Sequence, residues 1–289
     1  MLEALDFTAG FVSYYHTYNE PMSRTCTLVT LSVDNLQFFR PIRGDVDLTI
    51  NAYPTYTGRS TIEIRTDLLQ RDSSGEETLA GSSFFLMVAR SVDSYQAYQV
   101  PRLNFEGENE VDKCLLREEL AQIKQKRRKE EGGRSPSISK SSQTQEGKVI
   151  PFKIGSFTPH FGREGFPSME ESRELHRIYM EMKEEATDRW CLMRETEKRK
   201  MSLMHMQDRN LHGKVFGGYL MRESIELAWL VAYNFCRFDN PEFENIDDFI
   251  FHKPVEIGSI LDLEASVTYA QGHVVFITVD AHKIQYKIN

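Results

Sequence analysis

The chain has 289 residues, of which 40% are hydrophobic and 27% charged, and its formal net charge is −8. That content can bury the core of one large or two ordinary domains and excludes wholesale disorder. The acidic balance leaves no overall footprint for nucleic acid or an anionic membrane; the longest apolar runs, Phe84–Ala89 and Leu227–Tyr233, fall far short of the ~20 residues that span a bilayer; and the four scattered cysteines, Cys26, Cys114, Cys191 and Cys236, have no metal or disulfide spacing and fit a reducing compartment.

Residues 1 to about 20 predict a helix, with Leu2, Leu5, Ala9 and Val12 at helical spacing. The text has neither the apolar run of a signal peptide nor the Arg-rich pattern of a transit peptide. Helical register from Met1 onward reads as a start inside a domain. Strand-like runs follow at Thr27–Asp34, Asp47–Tyr56, Ser60–Leu69 and Leu79–Arg90. Thr57-Gly58 marks a hairpin and Asp72–Gly75 a turn. One helix followed by antiparallel strands predicts an α+β unit.

The middle of the chain is polar. Glu106–Glu131 reads as a charged helix, and Gly132–Gly147, rich in Ser, Gln and Gly, as a disordered linker. The basic run Lys124–Lys129 could meet nucleic acid. Flanked by Glu118, Glu119, Glu130 and Glu131, it reads instead as a solvated helix face. Glu170–Glu185 is a second charged helix, with Leu175, Ile178, Tyr179 and Met182 on one side. Near Trp190 the first pattern returns. Cys191–Met206 reads as a strand, Val215–Cys236 as a long apolar helix, and Asp248–Phe251, Ile260–Tyr269 and Val274–Lys283 as strands.

The two ends share spacings. Asp34 precedes Pro41 by seven residues and Asp247 precedes Pro254 by seven; Gly44 precedes Gly58 by fourteen and Gly258 precedes Gly272 by fourteen. A period this long is no solenoid unit and predicts one domain duplicated. The expected organisation is a first unit at 1–105, a charged and partly disordered linker at 106–186, and a second unit at 187–289.

Chemistry concentrates in Asp208–Arg222, a polar loop leading into a helix. Gly213, Gly217 and Gly218 permit strained turns and close approach of the backbone to a ligand. Unpaired N–H groups at the following helix start suit a polarised carbonyl or an oxyanion. Glycines before a helix are common, but Asn210 and His212 just upstream make the segment specific. It resembles the Asn-x-His-Gly-x-x-x-Gly-Gly-x-x-Met pattern of hot-dog acyl-CoA hydrolases, most of all the double hot-dog mitochondrial acyl-coenzyme A thioesterase nine type. Phe216, Leu220, Met221, Arg222, Glu226, Leu227, Ala228, Phe251, Lys253–Glu256 and Gly258-Ser259 extend the likeness over most of both ends.

The resemblance implies two hot-dog units in tandem, each a central helix wrapped by antiparallel sheet, with a site at their interface. Carried over by position, Asn210 matches the family's asparagine. The acidic helix position falls on Ile225 in the second unit, next to Glu226, and on Asp6 in the first. The expected site pairs Asn210 with Asp6: Asp6 as general base, Asn210 orienting water or thioester, and N–H groups near Gly217 and Gly218 polarising the carbonyl. His212 either bonds substrate or caps the loop. Glu226 is either in the site or paired with a loop donor. Gly213 and Phe216 line the substrate, and Lys214 and Arg222 meet coenzyme A phosphates or are ordinary surface charges.

The implied reaction is hydrolysis of acyl-CoA to fatty acid and coenzyme A, with no metal and no cofactor, coenzyme A being part of the substrate. A non-catalytic acyl-CoA-binding or assembly subunit is the alternative. Enoyl-CoA hydration, also run on hot-dog folds, uses a His and Asp arrangement not seen here. A homo-oligomer of paired units, with no nucleic acid and no membrane span, and a mitochondrial location follow from the resemblance, any import signal lying upstream of Met1. Against the family pattern the first unit lacks its strand and glycine-rich region before the helix, and the second stops short of a last strand. The chain is accordingly expected to be a fragment or short isoform of reduced stability or activity.

Overall fold

A computed structural model describes residues 1–18, 26–71, 75–104, 150–154, 168–184, 191–210, 213–237 and 239–284. The expected charged helix at Glu106–Glu131, the linker Gly132–Gly147 and the basic run Lys124–Lys129 lie outside them.

The first unit opens with α1 (Leu2–Thr17), whose buried residues Leu2, Leu5, Asp6, Ala9, Ser13 and Thr17 share one face. Its two buried hydroxyls return to their own helix, Ser13 Oγ donating to Ala9 O at 2.7 Å and Thr17 Oγ1 to Ser13 O at 2.7 Å. Strands β1 (Cys26–Phe38), β2 (Leu48–Thr57), β3 (Thr61–Arg71) and β4 (Glu77–Ser91) follow. β4 pairs with β3 on one edge and β1 on the other. Buried without a break from Ala80 to Phe85, it reads as a near-continuous apolar and small-residue run where an edge strand would alternate. The second unit comprises β5 (Ile150–Ile154), a short helix α3 (Met193–Thr196), β6 (Lys198–Leu203), α4 (Gly217–Phe235), β7 (Asn245–Ile250), β8 (Ile260–Gln271) and β9 (Val274–Ile284). The solvated helix α2 (Met169–Glu184) precedes α3, with Leu175 and Tyr179 of its expected apolar side exposed.

The nine strands of the described residues form one sheet in the order β2-β3-β4-β1-β7-β5-β9-β8-β6. Every pairing is antiparallel. The units join at β1 and β7, where Asp34 faces Asp248, one residue from its repeat match Asp247. Such near self-pairing is what a twofold axis relating two copies gives. The matched glycines Gly58 and Gly272 close the equivalent hairpins β2–β3 and β8–β9. One apolar cluster runs through both units, with Leu5, Ile62, Ile64 and Phe85 on one side and Met221, Phe249, Leu261 and Ala281 on the other.

Two sequence expectations need correction. Cys191–Met206 is not a single strand: Glu195 accepts a hydrogen bond from Leu192 N at 3.2 Å and closes a helical turn before β6 begins. The span read as linker also contributes β5, which pairs with β9 from Ile150 to Ile154 and reaches β7 at Phe249. Its strand signal, Ile150, Phe152 and Ile154 alternating with Pro151 and Lys153, is a single short run that follows a long polar segment.

The central helices meet at their N-terminal ends. A Cβ on Gly218 would lie 2.6 Å from Glu3 Cα, and one on Gly217 would lie 2.9 Å from Asp6 Oδ2. Real contacts do not reach such distances, so only glycine allows this crossing. Gly218→Ala is expected to force the helices apart at a cost of about 1–3 kcal/mol of unfolding free energy. Chemical denaturation of parent and variant checks this, and equal stability would contradict the tight crossing.

Candidate active site

The site grows from that crossing. The N-terminus of α4 has no side-chain cap of its own, Phe216 standing at the N-cap position. A helix start leaves N–H groups without intrahelical partners and a partial positive charge. Asp6, from the other unit, supplies what is missing: its Oδ2 accepts Gly218 N at 2.7 Å. Its Oδ1 accepts Thr30 Oγ1 at 2.7 Å. Asp6 is 3% exposed. Burial raises its pKa from 3.8 to about 6, against the lowering effect of the hydrogen bonds from Thr30 and Gly218. A carboxyl poised near neutrality at the meeting of two units is a candidate proton acceptor.

Phe251 completes this corner. Its N donates to Leu31 O at 2.9 Å, beside Thr30. Its ring lies 3.3 Å from where a Gly217 Cβ would stand. The site is thus framed by α1, β1, the start of α4 and the end of β7.

Asn210 stands on the loop that feeds α4. The loop is a miniature hairpin: Asn210 N donates to Lys214 O at 2.7 Å, Gly213 N to Asn210 O at 3.1 Å, and Arg209 bridges Val215. Gly213 takes φ +73° in the turn, a conformation that side chains resist. Asn210 Oδ1 accepts Lys214 N at 3.1 Å, which orients the carboxamide; its donor is Nδ2. Phe216 N then donates to Asp208 O at 3.0 Å and hands the hairpin to the helix.

The structure brings Asp6, Phe216, Gly217 and Gly218 together, with Asn210, Gly213 and Lys214 on the adjoining hairpin. His212 lies outside the described residues. Glu226 is elsewhere: it is exposed on α4 and pairs with Lys200 at 3.5 Å and Arg222 at 3.7 Å. Neither of its two readings describes this: Glu226 is exposed and its partners are on β6 and on its own helix, not on a loop. Ile225, at the position matching Asp6, is half-buried. Arg222 binds Glu3 of α1 at 2.9 Å and lies over the Tyr219 ring, and Lys214 binds Glu256 at 3.4 Å. Both cations are partly neutralised by carboxylates of this chain.

The expectation for the amide of Gly218 changes as well, because it donates to Asp6 and is not turned to a substrate oxygen. Thr30 was missed by sequence reading. Its one signal is a hydroxyl between Val29 and Leu31 in a strand that must cover a helix carrying Asp6. Among the described residues, no group of three or more His, Cys, Asp or Glu could hold a metal ion, and no helix is long and apolar enough to cross a membrane.

Residues 7–75 match the family model of the thioesterase superfamily. Over 94% of its length the chain is 31% identical to acyl-coenzyme A thioesterase 2, chloroplastic, of Humulus lupulus, covering 57% of that protein. It is 24% identical over 96% of its length to acyl-coenzyme A thioesterase 9, mitochondrial, of Mus musculus, covering 59% of it. The chain therefore spans less than two thirds of these relatives. A solved structure described as a putative oleoyl thioesterase from Lactobacillus plantarum superposes with a TM-score of 0.50 at 10% identity, over 98% of this chain and 88% of the other, and so shares the tandem hot-dog fold.

The raised pKa fixes the sign of one pH effect. The folded state holds the Asp6 proton more tightly than the unfolded chain, so its stabilising contribution is full below 3.8 and is lost as pH rises through about 6. Relative to Asp6→Asn, the parent is expected to lose up to about 3 kcal/mol of unfolding free energy between roughly pH 4 and pH 7. Parallel denaturation of both proteins at the two pH values measures it, and parallel pH curves would contradict it.

Proposed function

We propose that this chain, a double hot-dog relative of the acyl-coenzyme A thioesterases, hydrolyses acyl-CoA thioesters to free fatty acid and coenzyme A. The observation that carries the reading is Asp6, a buried carboxylate with a pKa of about 6 held across the unit interface by Gly218 N and Thr30.

In the proposed reaction Asp6 accepts a proton from water as that water attacks the thioester carbonyl. Thr30 keeps the carboxylate oriented. Asn210 Nδ2 and the amides of Gly217 and Tyr219, in the first turn of α4, are the donors proposed for the developing oxyanion. The proton then passes from Asp6 to the departing thiolate of coenzyme A, which restores the carboxylate. Nothing in the sequence calls for a nucleophilic serine, a metal or a cofactor. A mitochondrial location is proposed from relatives that include mitochondrial and chloroplastic proteins. A homo-oligomer is proposed from the exposed stripe Phe7, Phe11 and Tyr15 along α1, which a second copy would cover.

Release of free thiol from a series of acyl-CoAs tests the activity. The rate is expected to rise with pH through about 6 as Asp6 deprotonates. Asp6→Asn should lower kcat by about 10²–10⁴-fold and Asn210→Ala by about 10²-fold. Coenzyme A binding without turnover would favour the non-catalytic subunit, and hydration of enoyl-CoA without hydrolysis would move the chain to another reaction class.

A further inference from the structure

The segment Lys253–Glu256, after β7, is not used by the proposed chemistry, yet its contacts lead straight to the loop that carries Asn210. Val215 N donates to Val255 O at 2.9 Å, and Lys214 bridges Glu256 through the backbone. The segment is therefore the third strand of the miniature hairpin, outside Lys214 and Val215. Its other contacts anchor it. Ser259 Oγ donates to Glu256 O at 2.6 Å, and Gly258 N to Met204 O at 2.8 Å.

The Glu256 side chain ties the layers together. Oε2 accepts Lys283 Nζ at 2.5 Å and Oε1 accepts Lys214 Nζ at 3.4 Å. Lys283 belongs to β9, is 8% exposed, and also donates to Pro254 O at 3.3 Å. Burial works to raise the Glu256 pKa, but Lys283 and Lys214 outweigh it and hold the carboxyl below its usual range. A buried ammonium needs its partner, since removing one member of such a pair strands the other.

We propose that Glu256 is a positioning residue: through Lys214 on one oxygen and Lys283 on the other, it locks the Asn210 hairpin and the start of α4 onto β9. The line of support runs from Lys283 to Glu256, to Lys214, to Asn210, and through Val215 and Phe216 into the turn whose Gly218 amide holds Asp6. The proposal deepens the thioesterase reading and rests on it for its kinetic consequence, while its structural consequence stands without turnover.

The test compares the parent chain with Glu256→Gln, Lys214→Met and the control Glu174→Gln, whose exposed pair with Arg177 lies on α2. Amide spectra by NMR follow Gly218 and Gly213, and the side-chain titration of Asp6 is followed in the same samples. Glu256→Gln is expected to move both amides and the Asp6 titration, with the spectrum far from the loop preserved; Glu174→Gln should move neither. With butyryl-CoA and longer acyl-CoAs, kcat should fall about tenfold or more, since small misplacements of catalytic groups cost that much. KM should change far less, because Lys214 is released from its internal carboxylate and remains available to the substrate. Unchanged Gly218 and Gly213 amides in a folded Glu256→Gln variant overturn the proposal. Should that variant not fold, Lys214→Met, which leaves the Glu256–Lys283 pair in place, decides the matter: a shifted Gly218 amide supports the line of support and an unshifted one overturns it. A parent chain without turnover would count against the thioesterase reading alone, because the amide shifts read the positioning directly.

Discussion

A carboxylate from one unit capping the helix of the other is the interaction on which this structure turns. The start of α4 carries unpaired amides that must find an acceptor once water is excluded. Asp6 supplies it through Gly218 N at 2.7 Å. Almost everything nearby follows from that contact. The helices must approach closely, which Gly217 and Gly218 allow. Thr30 must occupy the second carboxylate oxygen. Arg222 and Glu3 then pair across the same crossing, at half-exposed positions where screening leaves them a modest role.

The duplication explains why this crossing exists and why it is lopsided. Two copies of one unit, set side by side through β1 and β7, place their central helices together. Strict symmetry would give each helix an acidic residue under the other's N-terminus. By the family resemblance α4 carries Ile225 where α1 carries Asp6, and its neighbour Glu226 pairs with Lys200 and Arg222 at the surface. A half-buried isoleucine satisfies packing without needing an amide donor. The glycine pair belongs to α4 and the carboxylate that caps it to α1, so the site proposed here draws on both units.

Much of this was legible before any coordinates. Apolar periodicity located both central helices and the strands of the first unit to within a few residues, because those elements bury one face each. Matched spacings around Pro41 and Pro254, and around Gly58 and Gly272, announced the duplication. What escaped has a common cause. β5 alternates Ile150, Phe152 and Ile154, but as one five-residue run it is easily absorbed into the polar segment before it. The turn at Met193–Thr196 is closed by one carboxylate of Glu195, which no pattern reveals. Thr30 looks like any strand threonine until the helix above it is placed. The commitment of Gly218 N to Asp6, in place of a substrate oxygen, depends on a distance between residues 212 positions apart.

One carboxylate can serve as both cap and base because opposing effects bring its charged and neutral forms close in free energy. The amide at the helix start and the Thr30 hydroxyl favour the anion, and burial favours the acid. With burial alone the group would stay protonated near neutrality and could accept nothing. With the hydrogen bonds alone it would remain a weak base, fixed as a structural anion. Burial outweighs the hydrogen bonds and leaves the pKa at about 6, so in the proposed reaction a proton can arrive on Asp6 and leave again without a large penalty either way. When it arrives, the anionic cap of α4 weakens, and the helix start must be held by other contacts. The hairpin around Asn210 and its tie through Lys214 and Glu256 to Lys283 are the contacts present to do so. The joint between the units can therefore tolerate the chemistry proposed for it.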